Sequence, residues 1–213
     1  MNIYLILRFG GSLTNIVLFG VSLRAFWIKS PGFARVFSGL CFLEVIADII
    51  QWISDRVYIQ QITSNSLALT ELIIYTFIFL QIIHSKIIKW ILSLSMSILF
   101  IIYLFVFFKK GIDRPIALDM ELLDFAIFLI PGFAYLKEIF TYQRKGDLTR
   151  DFTFWFVTAS LFIFASTIIS RLGLIYLYTL KVENYLNNFY LLSGLVFIIV
   201  NILYIKAYLC LKK

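Results

Sequence analysis

The sequence predicts an all-α, polytopic transmembrane bundle of seven helices, N-terminus outside and C-terminus cytoplasmic, forming a single domain over residues 1–213. Three observations carry this. Hydrophobic residues make up 62% of the chain and charged residues only 15%, with a mean hydropathy of +0.94, so a soluble domain of this composition would lack polar surface. Apolar runs recur along almost the whole length, each close to the roughly 20 residues that a helix rising about 1.5 Å per residue needs to cross a hydrocarbon core of about 30 Å. Tryptophan occurs only near the ends of these runs, where an interfacial aromatic belt belongs. A transmembrane barrel is excluded, because its strands alternate over about ten residues, whereas Ile98 to Phe108 is apolar on every side.

The first span, Ile3 to Leu23, has no basic start and no small-residue cleavage site, and it carries Arg8 inside the run. It therefore reads as a retained helix and not as a signal peptide. The second, Phe33 to Ile53, follows Pro31-Gly32 and holds two acids, Glu44 and Asp48. The third, Leu67 to Ile83, begins with Glu71 in its first turns and ends at His84, the sole histidine, whose cationic form suits a helix C-terminus. The fourth, Ile88 to Phe108, pairs Ser93 with Ser97, small residues that allow close helix approach. The fifth, Asp119 to Leu136, contains Pro131-Gly132, a hinge or a static bend because proline removes one backbone donor. The sixth, Phe152 to Leu172, carries Ser166 and Ser170 for packing and Arg171 near its end. The seventh, Asn188 to Leu209, includes Lys206.

Orientation follows from positive charge, since Lys- and Arg-rich loops stay cytoplasmic. One side collects Arg24, Lys29, Arg35, Lys86, Lys89, Lys137, Arg144, Lys145, Arg150, Lys206, Lys212 and Lys213, twelve of the 19 basic residues. The other holds Arg8, Arg56, Lys109, Lys110, Arg114, Arg171 and Lys181. Trp27, Trp90 and Trp155 fall on the first side and Trp52 on the second. The net charge of +7 reads as anchoring to the anionic cytoplasmic leaflet. No basic stripe interleaved with aromatics lies outside the bilayer, so nucleic acid is not a partner.

An ionisable residue in a span costs about 2.5 to 3.5 kcal/mol on insertion scales and so invites explanation. Glu44 and Asp48 are four residues apart, which sets them on one helical face about 6 Å apart along the axis. Gln51 and Asp55 continue that face outward. Glu71, Asp119, Glu121 and Asp124 lie in the outer halves of their helices, as do Arg8 and Arg171. The expectation is an outward-facing, water-accessible cavity lined by Glu44, Asp48 and Glu71, with Arg8 or Arg171 placed to pair with a carboxylate or an anionic ligand. The competing reading is a set of structural ion pairs. For Glu71, Asp119 and Glu121, early helix positions also account for a carboxylate through the helix dipole.

Enzymatic signatures are missing: there is no G-x-S-x-G, H-E-x-x-H, Walker A or G-x-G-x-x-G. One histidine and two cysteines, Cys41 and Cys210, in separate spans do not suggest a zinc site or a disulfide. No metal and no cofactor are implied. Asp151-Phe152-Thr153-Phe154-Trp155 opening the sixth span and Asn201-Ile202-Leu203-Tyr204 in the seventh resemble a family of small, uncharacterised bacterial seven-helix membrane proteins. That family carries Asn-Pro before its Phe-Trp, and this chain lacks the proline. The resemblance covers about the last third of the chain, supplies no catalytic residues, and implies a bacterial inner-membrane protein tied to signalling.

The expected function is that of a receptor, sensor or accessory subunit, in which a small-molecule or lipid ligand from outside, or a membrane or cytoplasmic protein partner, shifts helix packing and the loop Lys137 to Arg150 reports it. A proton- or cation-coupled transporter using Glu44 and Asp48 is the alternative. A membrane-embedded lipid enzyme follows, without a recognisable nucleophile.

Overall fold

The computed structural model describes residues 3–28, 30–112, 118–141, 147–180 and 186–211. Among these, all regular structure is helical: α1 (Ile3–Ser22), α2 (Arg24–Trp27), α3 (Gly32–Ile53), α4 (Val57–Ile82), α5 (Lys86–Lys110), α6 (Leu118–Thr141), α7 (Phe152–Leu180) and α8 (Leu186–Leu209), with one 3-10 turn at Leu148–Arg150. Five stretches are long and apolar enough to cross a membrane: Leu7–Trp27, Val57–Ile82, Lys86–Lys110, Phe152–Gly173 and Leu191–Leu209. The other two long helices, α3 and α6, carry Glu44 and Asp48 in one and Asp119, Glu121 and Asp124 in the other.

The helices outrun the apolar spans in three places. α4 starts at Val57 instead of Leu67, α6 ends at Thr141 instead of Leu136, and α7 continues to Leu180. An α-helix satisfies its own backbone whatever the side chains, so the polar stretch Gln60 to Ser66 stays helical where hydropathy alone stops. Local bonds help: Thr63 Oγ1 donates to the Ile59 carbonyl (2.9 Å), and Asn65 Nδ2 donates to the Ile112 carbonyl (2.6 Å), tying the start of α4 to the end of α5.

The helix ends follow ordinary capping chemistry. Pro31 leads into α3 with a fixed φ of −56°. Gly111 ends α5 at φ 90°, a conformation that L side chains rarely adopt, with Lys109 and Lys110 in the last turn beside the negative dipole end. Asp151 Oδ1 accepts the Thr153 N–H (2.8 Å) at the start of α7. The Glu138 carboxylate accepts the His84 and Ser85 N–H groups (3.3 and 3.1 Å) just before α5, and His84 Nδ1 lies 3.2 Å away from the same group. His84 therefore joins the α4–α5 turn to the end of α6. In the 3-10 turn, hydrogen bonds from the Thr149 hydroxyl and N–H, with Arg150 alongside, hold the exposed Asp147 carboxyl below its ordinary range. Its contribution is present once the unfolded group ionises and fades as pH falls through the lower folded value.

The seven long helices close a ring in chain order. α1 packs on α3, α3 on α4, α4 on α5, α5 on α6, α6 on α7 and α7 on α8, and α8 returns to α1, with α4 also touching α6. A ring of seven leaves a centre too wide for aliphatic side chains from one helix to fill, and aromatic rings fill it. Phe37 of α3 packs against Phe156 of α7 (ring centroids 4.9 Å) and Tyr204 of α8 (4.6 Å), while Tyr75 of α4 meets Phe164 (5.2 Å) and Phe128 (5.7 Å). One end of this column is closed by Phe33, Phe152 and Tyr208. The α1–α8 seam is close because Gly10, Gly11 and Gly194 face side chains of the opposing helix, a Cβ on Gly194 meeting Leu7 at 3.4 Å.

Pro131 sits inside α6, which continues past it to Thr141. A Cβ on Gly132 would lie 2.7 Å from Cγ of Leu161 and closer still to one of its methyls, so Gly132 serves the α6–α7 contact. Gly132→Ala is expected to lower stability by about 1 to 3 kcal/mol through overpacking, and Leu161→Ala in the same chain to recover part of the loss; thermal unfolding of the detergent-solubilised proteins measures both.

Candidate functional site

The polar side chains of the α1–α3–α8 seam form one connected chain. Asp48 Oδ2 accepts from Asn15 Nδ2 (2.8 Å), Asn15 Oδ1 accepts from Asn201 Nδ2 (2.8 Å), and Asn201 Nδ2 also lies 3.0 Å from Thr14 Oγ1. Thr14 in turn donates to the Gly11 carbonyl (2.8 Å). Asn15 and Asn201 are each only 3% exposed, so these amides have no solvent alternative, and each uses both ends of its side chain or a bifurcated donor to bridge helices.

Above this chain, toward the end of the bundle where α1 begins, lies a cavity of about 280 Å³ between α1, α3 and α8. Arg8, Asp48, Gln51 and Trp52 supply its polar lining, and Leu191, Gly194 and Phe197 of α8 close its far wall. The Arg8 guanidinium stacks over the Trp52 indole, 4.6 Å from the ring centroid, and its Nη2 reaches the Gln51 carbonyl at 3.5 Å. Trp52 Nε1 donates to Ser12 Oγ (3.1 Å), which pins α3 to α1 at this level. Arg8 thus stacks on an indole, where pairing with a carboxylate or an anionic ligand was expected. Gln51 is also held from α4, its Nε2 donating to Ser64 Oγ (3.4 Å) and its carbonyl lying 3.5 Å from Gln60 Nε2.

The expected single cavity is divided in the structure. Glu71 lines a second, smaller space of about 160 Å³ between α4, α5, α6 and α7, together with Asp124, Tyr103 and Arg171. The Tyr103 hydroxyl donates to Asp124 Oδ2 there. Glu44 lines neither cavity, yet it stands within electrostatic range of both Asp48 and Glu71, and so joins the two sites at the α3–α4 contact. Asp119 and Glu121 belong to the first turn of α6, but their side chains lie outside the described residues, as do residues 142–146 of the predicted reporter loop.

Several polar side chains around these cavities escaped sequence reasoning. Besides Asn15 and Thr14, a buried hydroxyl relay runs beneath Glu44: Tyr75 Oη lies 2.9 Å from Tyr204 Oη, which lies 3.0 Å from Ser160 Oγ, and Ser160 donates to the Phe156 carbonyl. The only available signal was an amide or hydroxyl in an otherwise apolar run, and it does not show which helix it faces. Cys41 is buried and Cys210 partly exposed, and both are free. Among the described residues no three His, Cys, Asp or Glu side chains are grouped to hold a metal ion.

Against known family models, curated proteins and solved structures, the chain finds no match. The site's meaning therefore rests on its own chemistry. Removing one member of the relay isolates its role in holding helices together: Asn201→Leu and Asn15→Leu are each expected to destabilise, with a coupling of about 0.6 kcal/mol and at most about 1.7 kcal/mol between them. A double-mutant cycle on unfolding in detergent reads that coupling directly.

Proposed function

We propose that the chain is a seven-span receptor or sensor subunit, N-terminus outside, that binds a small-molecule or lipid ligand in the Arg8–Asp48 cavity and converts binding into a change of packing between α1, α3 and α8. The seven-span topology is supported by the closed ring, in which α3 and α6 occupy the same kind of position as the five apolar helices. The orientation rests on the sequence count alone, in which twelve of the 19 basic residues fall in the segments assigned to the cytoplasmic side. A bacterial inner membrane is supported by the resemblance in the last two spans alone.

The observation that carries the reading is the bond from Asn15 to Asp48. Asp48 is at once a wall of the cavity and an anchor of the interhelical chain. A ligand group that takes Asp48 competes with Asn15, and Asn15 is also what Asn201 holds. Release therefore loosens α3 from α1 at mid-helix and leaves Asn15 held by α8 alone. At the far end, the Leu211 carbonyl accepts from Arg24 (3.2 Å) and the Tyr208 hydroxyl donates to the Ala34 carbonyl (2.8 Å), so a shift of α8 reaches the opposite face. That is differential contact in two states, which a sensor requires.

A proton- or cation-coupled transporter is the second reading. It is favoured by Glu44 standing between Asp48 and Glu71 with the Tyr75–Tyr204–Ser160 hydroxyls adjacent. Proteoliposomes separate the two: a sensor passes no solute or proton, whereas a transporter does so and loses it in Asp48→Asn.

Two results are expected. A cysteine at Ser12, in a chain whose Cys41 and Cys210 are changed to Ser, reacts with a membrane-impermeant thiol reagent added outside intact cells, and one at Lys89 reacts only after the membrane is opened; the reverse pattern refutes the orientation. Native mass spectrometry of wild type shows a bound molecule that Asp48→Asn loses while remaining folded. Bare protein in both would reduce the polar chain to architecture.

A further inference from the structure

The polar cavity has an apolar neighbour. A groove of about 310 Å³ runs along the α1–α3 seam, lined by Phe9, Leu13, Ile16, Val45, Ile49 and Ile53, and it shares Ser12, Asp48 and Trp52 with the polar cavity. Phe9, Leu13, Ile16, Ile49 and Ile53 are all exposed on the outside of the ring. In a bilayer that surface meets acyl chains. The groove descends from Phe9 and Trp52 to Ile16 and Val45, seven residues along each helix, or about 10 Å toward the membrane centre. Its upper rim is Trp52, which also carries Arg8, at the depth where tryptophan marks the head-group region.

The two spaces are chemically complementary halves of one amphiphile site. In the polar half, Arg8 and Asp48 bear opposite charges on one cavity, but neither pairs with the other: Arg8 lies on the indole and the Gln51 carbonyl, and Asp48 is held through one oxygen by the neutral Asn15. A guanidinium suits a phosphate, and a carboxylate oxygen suits a primary ammonium. Resting on the pocket reading above, we propose that the occupant is a bilayer phospholipid with a zwitterionic, primary-amine head. Its phosphate lies at Arg8, its ammonium at Asp48 and one acyl chain in the Phe9–Val45 groove. Because the groove lining is exposed on the outside of the ring, the lipid enters sideways from the membrane and not from water.

The test is native mass spectrometry of wild type, Arg8→Gln and Asp48→Asn released from nanodiscs of equimolar phosphatidylethanolamine, phosphatidylcholine and phosphatidylglycerol. Wild type is expected to keep phosphatidylethanolamine at least tenfold over the other two. Asp48→Asn should keep phosphatidylethanolamine and phosphatidylcholine equally, because the methylated head offers no N–H to lose. Arg8→Gln should drop total retained lipid at least tenfold. Equal retention of the three lipids by wild type overturns the proposal without any variant having to fold. Delipidated wild type binding free phosphoethanolamine as tightly as the lipid overturns the bilayer source but leaves the polar pocket standing; binding of neither overturns both.

Discussion

The bond between Asn15 and Asp48 is the constraint on which the rest of the seam depends. Among lipid tails, apolar side chains gain nothing by meeting one another instead of the solvent, so helices associate through close packing and through polar groups that have nowhere else to go. Asn15 is almost fully buried and bonds both to Asp48 of α3 and to Asn201 of α8. Helices distant in sequence are joined at one point, and that point closes the ring between its first and last long members. The glycines of α1 and α8 follow from this, because two amides reach each other only when the backbones approach, and Gly10, Gly11 and Gly194 permit that approach.

The aromatic column solves the opposite problem. Seven helices around a centre leave space, and an unfilled centre would have to admit lipid or water. Rings from α3, α4, α6, α7 and α8 occupy it at centroid separations of 4.6 to 6.4 Å, a range in which tilted and edge contacts are favourable. Two of these rings are tyrosines whose hydroxyls meet each other and Ser160. The packing core thus carries a polar thread, and that thread runs beside Glu44. Core and site share side chains here.

Much of the architecture was legible because hydropathy in this chain changes abruptly. The ends of α1, α3, α5 and α8 fall within a few residues of the apolar runs. α4 was read short because Gln60, Gln61, Thr63, Ser64, Asn65 and Ser66 crowd its first ten residues, and polarity reports the bilayer boundary, not the helix boundary. The pairing of Glu44 with Asp48 on one face was legible from spacing alone. What faced that pair was not, since α8 is apolar all round and shows no preferred side, so Asn201 looked no more buried than its neighbours. Arg8 lies in the early turns of α1, and it stacks on Trp52. Charge suggests a carboxylate, whereas a guanidinium that stacks on an indole also satisfies its flat, weakly hydrated face.

The division of the acids into two cavities bears on how such a bundle responds. Asp48 bonds to α1 and lines a cavity shared with α8, whereas Glu71 lines a space made by α4 to α7. Glu44 lies between them, and the link it provides is electrostatic. An electrostatic link needs no contact to break. Protonating Glu44, or placing a cation beside Asp48, changes the field at Glu71, which shares its space with Asp124, Tyr103 and Arg171. Neutralising Asp48 by ligand and neutralising it by proton are therefore equivalent as seen from Glu44, and they differ only at Asn15. There a ligand takes the oxygen lone pair away, whereas a proton on the other oxygen leaves the bond in place. The two proposed functions, ligand sensing and proton handling, thus make different demands on a single hydrogen bond, that of the Asn15 amide to Asp48.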